Sequence, residues 1–148
     1  MGIGICEVAA NFGQQVVLFD VNHELAKKAV ATLKARLKKR AFRGKITKQQ
    51  VTEIVDRIKI VDDLAHFNAC DLVVEAVIEN LEIKQQIFQK LEIITSSLAL
   101  LATNTSSISI TAIATGMKDP TRLFGLHFFN PAPVMKLVEI IAGLQTAE

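Results

Sequence analysis

An α/β fold, with a mostly parallel sheet and helices on both faces, is predicted by three observations. Short apolar runs such as Val16-Val17-Leu18-Phe19 alternate with longer segments of helical period, the pattern of strands buried on both sides. Half of the 148 residues are apolar, enough for one domain with a sizeable core. There is no internal repeat and no low-complexity segment to suggest another architecture.

The elements follow in order. Gly2 to Phe12 reads as a helix of small and apolar residues, with Gly13 as its stop. Val16 to Phe19 reads as a buried strand closing on Asp20. Asn22 is a good N-cap for a long helix reaching about Phe42, with Leu25, Ala29, Leu33 and Leu37 at i, i+4 spacing. Arg43-Gly44 breaks it. Thr47 caps a second helix through Ile58, with Val51, Ile54, Val55 and Ile58 on one face. This helical pair is longer than a standard crossover and reads as an insertion. Ile58 to Val61 is a short strand candidate, and Asp71 to Val77 a stronger one. A helix from about Leu81 to Thr95 and a strand from Leu98 to Ala102 follow, the strand running into "TNTSSISI". Ser107 to Thr115 is a short helix, with Ser106 or Ser107 suited to cap it, and Gly116 to Thr121 a loop. "RLFGLHFF" is a strand, "NPAP" a turn and "KLVEII" a last strand.

Composition narrows the function classes. No apolar run approaches the ~18–20 residues needed to span a bilayer, and no basic segment precedes an apolar one as in a secretory signal. Cys6 and Cys70 form no C-x-x-C and read as small core residues, which suits a reducing compartment such as the cytoplasm. Net charge is only +2, yet ten of the 17 Lys and Arg fall between Lys27 and Lys48, an interval without Asp or Glu. Such a run can hold phosphates or be a solvated helix face. With one aromatic, Phe42, and no nucleic-acid motif, it is not read as a nucleic-acid surface.

Four groups of residues could carry chemistry. Gly2, a helix, a strand and Asp20 follow the order of a dinucleotide-binding unit, in which the acid takes the adenosine ribose hydroxyls. An acid there repels a 2′-phosphate, so NAD is favoured over NADP. His127 and Glu139 lie twelve apart, symmetric about Pro133. If their strands pair antiparallel, the side chains face each other at ~5 Å between Cβ atoms, and the carboxylate fixes the imidazole tautomer for a general base. A satisfied core histidine beside an unrelated surface acid is the competing reading. "TNTSSIS" puts hydroxyls and an amide at a strand's carboxyl end, the ligand side of a parallel sheet, or simply caps a helix. "EAVIENLEIK" sets Glu75, Glu79 and Lys84 at a strand-to-helix junction, where Glu79 reaches a ligand or complements a helix dipole.

Together, "DLVVEAVIENLEIK", "TNTSSISITAIA" and "GLHFFNPAPVMKLVEI", in this order and spacing, resemble the NAD-binding domain of the 3-hydroxyacyl-CoA dehydrogenases over essentially the whole chain. The resemblance implies a Rossmann-type fold, NAD as cofactor and a 3-hydroxyacyl-CoA as substrate. The segments "ARLKKRAFRGK" and "SSISITAIA" are most similar to bacterial members acting on 3-hydroxybutyryl-CoA or 3-hydroxyadipyl-CoA, the latter in phenylacetate breakdown. By the same resemblance, His127 is the general base and Glu139 its orienting carboxylate. Ser106 and Asn130 bond the reacting oxygen or the cofactor beside it. Asp20 holds the adenosine ribose, Glu79 and Lys84 contact the nicotinamide half, and Arg36, Arg40 and Arg43 lie near the CoA phosphates. No metal is implied.

Met1-Gly2 matches the end of the family's glycine-rich turn, Gly2 being its third glycine. The family's first strand, central in the 3-2-1-4-5-6 order, is therefore missing here. So is the helical domain that follows Glu148 in the family and forms its homodimer. The expectation is two half-sheets with open edges and weak NAD binding by this chain alone. A non-catalytic relative, as the lens crystallins of this superfamily are, is the alternative reading.

Overall fold

The computed structural model describes residues 1–147, and the chain divides into two compact units. The first comprises Met1, Ile3–Leu64 and Pro131–Pro133. It holds α1 (Gly2–Asn11), β1 (Val16–Phe19), α2 (His23–Phe42), α3 (Lys48–Asp56) and β2 (Ile58–Val61). β1 and β2 form a parallel pair, Val16 opposite Ile58 and Phe19 opposite Val61. Gly13 at φ +89° and Gly44 at φ +69° take the left-handed turns after α1 and α2 that a side chain would strain. Asn22 caps α2 by accepting the Leu25 N–H, and Thr47 and Gln50 cap α3 reciprocally as a capping box.

The core of this unit gathers Cys6 and Ala10 of α1, Leu33 and Leu37 of α2, Val51 and Ile54 of α3, and Ile58 of β2. The buried stripe of α2 runs Ala26, Leu33, Leu37, with Val30 partly buried between. The expected start at Leu25 is off by one position, and Leu25 is exposed. A 4-3-4 spacing from Ala26 follows the 3.6-residue turn better than strict i, i+4 steps, which drift around the helix.

The second unit comprises Gly2, residues 65–130 and the chain from Val134. It holds β3 (Leu72–Glu75), α4 (Leu81–Ile94), β4 (Leu100–Thr103), α5 (Ile110–Ala114), β5 (Leu123–Phe128) and β6 (Val138–Ala142). The sheet order is β3-β4-β5-β6, the first three parallel and β6 antiparallel to β5. Val73, Leu101, Ala102 and Leu123 of the strands are buried, as are Phe88 and Leu91 of α4 and Ile113 of α5. Arg122 ties the end of α4 to β4 by donating to Ala99 O at 3.0 Å, Thr95 Oγ1 at 2.7 Å and Ser96 O at 2.6 Å.

The strands thus fall into two sheets, as expected. Several boundaries differ from the sequence expectation, and three of them have a visible cause. β3 ends at Glu75 because its carboxylate accepts the Val77 N–H at 2.7 Å and turns the chain out of the ladder. β4 begins at Leu100 because Ser96 O takes the Ala99 N–H in a turn. α5 is capped by Ser109, not Ser106 or Ser107. Thr105 Oγ1 accepts the N–H groups of Ser107 and Ile108, which holds that stretch as a turn instead. Two short 3-10 helices, Leu64–Ala69 and Pro120–Arg122, were not expected.

Candidate active site

In the second unit the carboxyl ends of β3, β4 and β5 lie along one edge, because these strands are parallel. Ligands of such sheets bind beyond that edge. His127 sits near the end of β5, and Glu139 of β6 is its register partner. Side chains directly opposed in a ladder point to the same face, and His127 Nδ1 lies 2.9 Å from Glu139 Oε2. An acceptor at Nδ1 places the imidazole proton there and leaves the Nε2 lone pair for a substrate. The Phe129 ring, 4.7 Å between centroids, packs on the imidazole. The expected juxtaposition of His127 and Glu139 is present.

The "TNTSSIS" segment follows β4 and is tied down at both ends. Asn104 Oδ1 accepts the Phe128 N–H at 2.8 Å, one residue from His127. Thr105 Oγ1 donates to Glu79 Oε1, and Ser107 Oγ donates to the same oxygen at 3.0 Å. Ser106, between these anchors, is exposed, as is Asn130 just past β5. Neither side chain makes a hydrogen bond among the described residues.

Glu79 is itself held from below. Lys84, on α4, lies 3.3 Å from Glu79 Oε2 and 2.7 Å from Glu75 Oε1. The side chains of Lys84 and Glu75 are each 1% exposed. The ammonium therefore faces two carboxylates from a buried position. Thr103 Oγ1 donates to Glu75 Oε2 at 2.7 Å. Burial is the largest influence on Glu79 and opposes its charge, but the Thr105 and Ser107 hydroxyls and Lys84 together outweigh it, lowering its pKa to about 2. The folded value lies below the ordinary 4.5, so the stabilisation is present above about 4.5 and lost as pH falls toward about 2. Because Glu79 is partly solvated, the effect is discounted for screening. Glu79→Gln is expected to flatten this acid limb in thermal melts between pH 5 and pH 2. An acid limb as steep as in the parent chain refutes the assignment.

The remaining candidates lie in the first unit, apart from Gly2. Asp20 is exposed immediately after β1, with one carboxylate oxygen accepting the Asn22 N–H at 2.8 Å. Gly2 has no atom within 4 Å of the position a Cβ would take. Gly4 comes nearer to its neighbours, with Ala132 Cβ at 3.4 Å. Arg36 and Arg40 are not free cations, since both pair with Glu7 of α1, the Arg40 Nη1 at 3.3 Å. Their guanidiniums remain about half exposed while Glu7 is buried, and Arg43 beyond α2 is exposed. Burial pushes the Glu7 carboxyl up, and the two arginines only partly pull it back. Glu7→Gln is therefore expected to shift the melting temperature at pH 7 by no more than about 3 °C, since the lost pairs are half solvated and a desolvated charge disappears. A loss of about 10 °C on a melting curve contradicts this.

Glu7 was not singled out in the sequence, and Thr103, Asn104 and Thr105 only as members of "TNTSSIS". The signal for Glu7 was an acid inside an apolar helix, and for Thr103 a hydroxyl directly after an apolar strand. Each unit, taken by itself, carries donors and acceptors suited to part of a dinucleotide. Asp20 offers acceptors to ribose hydroxyls, and α1 begins without a side-chain cap, so its first N–H groups are open to an anion. The second unit offers the hydroxyls and carboxylate described above. Among the described residues no cluster of His, Cys, Asp or Glu could hold a metal, and no helix is long and apolar enough to cross a membrane.

The profile of a family described as 3-hydroxyacyl-CoA dehydrogenase, NAD binding domain, matches residues 1–148. A 3-hydroxyadipyl-CoA dehydrogenase of Escherichia coli K12 is 50% identical over 147 residues, 99% of this chain and 31% of the relative. A probable 3-hydroxybutyryl-CoA dehydrogenase of Bacillus subtilis is 43% identical over 100% of this chain and 52% of its own length. The crystal structure of an Escherichia coli K12 3-hydroxybutyryl-CoA dehydrogenase superposes with TM-score 0.97 at 50% identity, covering 99% of this chain and 31% of that one. That of the (S)-3-hydroxybutyryl-CoA dehydrogenase of Ralstonia eutropha gives 0.95 at 38% identity, covering 100% and 52%. The chain thus spans about a third to a half of the length of these relatives. With an α/β fold of parallel sheets, an acid after β1 and a His–Glu pair at the sheet's carboxyl edge, the chain belongs to the NAD-binding domain family of the 3-hydroxyacyl-CoA dehydrogenases.

Proposed function

We propose that this chain supplies the nucleotide site and the general base of an enzyme that oxidises the 3-hydroxyl of a 3-hydroxyacyl-CoA. The observation that carries the reading is the 2.9 Å contact of His127 Nδ1 with Glu139, at the end of a parallel sheet where ligands bind. His127 Nε2 removes the hydroxyl proton as the carbon is oxidised. Glu139 holds the tautomer and steadies the imidazolium that forms. Ser106 and Asn130, both exposed and free to bond, hold the reacting oxygen or the amide of the cofactor beside it. NAD, when bound, accepts the hydride from C3.

Asp20 takes the adenosine ribose hydroxyls, and Glu79 faces the nicotinamide half. Lys84 acts through Glu79, because its ammonium is buried between two carboxylates. Arg36, Arg40 and Arg43 lie on the side of the CoA phosphates, with Glu7 orienting the first two. The relatives' names support a short or dicarboxylic acyl chain, 3-hydroxybutyryl or 3-hydroxyadipyl. Two free cysteines suit work in the cytoplasm. In its longest natural form the protein acts as a homodimer.

The test is NADH formation from NAD with 3-hydroxybutyryl-CoA and with 3-hydroxyadipyl-CoA, followed by absorbance on the longest natural form of the chain. Turnover of either supports the reading. A folded protein that binds neither NAD nor either thioester sinks it in favour of a non-catalytic relative.

A further inference from the structure

The reaction above uses Glu79, with Lys84 acting through it, but leaves Glu75 behind them without a role. Glu75 and Lys84 are the least exposed charged side chains of the second unit, and burying both costs desolvation that a stable fold does not require. Their arrangement has a consequence in charge. Two carboxylates, Glu75 and Glu79, share one ammonium, so the cluster carries a formal charge of −1. Only Glu79 opens to solvent, its side chain 40% exposed, at the strand edge where a ligand binds.

The reaction fixes where the nicotinamide ring must be. The proton leaves the substrate hydroxyl for His127, and the hydride leaves the same carbon for the ring. The two transfers together turn alcohol to ketone and the cationic ring to its neutral, reduced form. The ring therefore lies within contact distance of a substrate held at His127, beyond the end of β5. Neighbouring strands stand ~4.8 Å apart, so the end of β3 is only about 10 Å from that of β5. The hydrogen bonds of Asn104, Thr105 and Ser107 join these ends directly.

We infer that the Glu75–Lys84–Glu79 cluster biases the site toward the oxidised, cationic nicotinamide over the reduced, neutral one, with Glu75 acting as a positioning residue through Lys84. The inference rests on the proposed reaction and deepens it. A net negative charge attracts the cationic ring and has no such hold on the neutral product, so it favours binding of NAD and departure of NADH. Glu75 contributes half of the opposing charge without touching nucleotide. It keeps the Lys84 ammonium from neutralising Glu79.

The test measures dissociation constants for NAD and NADH separately, NADH by its own fluorescence and NAD by displacement of NADH, on the longest natural form of the chain. Glu75→Gln and Glu79→Gln are each expected to raise the ratio of the NAD constant to the NADH constant by roughly tenfold. Thr103→Val removes a hydrogen bond to Glu75 but no charge, and is expected to lower thermal stability while keeping the ratio within about twofold. A purely structural role would move stability in all three and the ratio in none. If Glu75→Gln fails to fold, the partly exposed Glu79→Gln still decides. A ratio unchanged in Glu79→Gln overturns the inference while leaving the proposed reaction standing, provided the parent protein binds NAD. A parent protein that binds neither nucleotide overturns both.

Discussion

Replacing His127 with alanine is expected to lower kcat for 3-hydroxyacyl-CoA oxidation by roughly 10²–10⁴-fold, the contribution of a placed general base. The KM for NAD should hardly move, because the proposed reaction puts the imidazole at the substrate oxygen and its charged partner among the described residues is Glu139 at 2.9 Å. His127 is partly buried near a strand end, so alanine removes the ring without opening the core. Far-ultraviolet circular dichroism should therefore match the parent. Glu139→Gln keeps the shape and loses the charge. It should cost less than the alanine variant, on the order of tenfold, since it leaves the base present but poorly oriented. Initial rates at saturating NAD across pH 6 to 10 check both. A His127→Ala protein that keeps more than a tenth of the parent rate removes the histidine from the mechanism.

Lys84→Met should be the most destabilising single change in the second unit. The pair it breaks has both side chains 1% exposed, and methionine fills the space of the lysine stem without its charge. Glu75 then keeps the Thr103 hydroxyl and the Val77 N–H but no cation. Leaving one partner of a buried pair costs about 3–5 kcal/mol. For a chain of this size, that corresponds to a fall in Tm of about 10 °C or more. Removing both charges is different in kind, because an apolar replacement of a whole buried pair is often neutral. Glu75→Leu combined with Lys84→Met should therefore recover a large part of the loss. Urea titration of the two variants gives the numbers. A single variant that loses less than about 1 kcal/mol refutes the buried pair as a structural element.

Much of the fold could be read from the chain because local rules and the sheet agree there. Val16–Phe19 is an apolar run that forms the expected strand, and the apolar Leu72–Val74 lies in a strand inside the expected Asp71–Val77, each with a partner of its own length. The twelve-residue separation about Pro133 puts His127 opposite Glu139 in the observed register. The stripe of α2 holds at Leu33 and Leu37 and departs at its start, because Leu25 is apolar but sits where the helix faces solvent, and only packing distinguishes it from Ala26. The burial of Lys84 was not legible at all. A lysine in the first turn of a helix reads as solvated, and what draws it inward is a carboxylate from another element, Glu75 of β3. Glu7 shows the same limit. The basic run looked free because no acid lay within it, yet the neutralising acid arrives from α1, across 29 residues to Arg36.

The pairing of β5 with β6 has a consequence for how such a site can be inherited. Alternate residues of a strand point to opposite faces, so a shift of one residue in the β5–β6 ladder would carry Glu139 away from the imidazole and bring Val138 or Ile140 opposite it. Every atom of the base and its acid would still be present in the gene. Drift in residues 129–137 is therefore constrained by parity. Insertions that stay within the turn are silent, while one that propagates a single step into the ladder silences the site without touching His127 or Glu139.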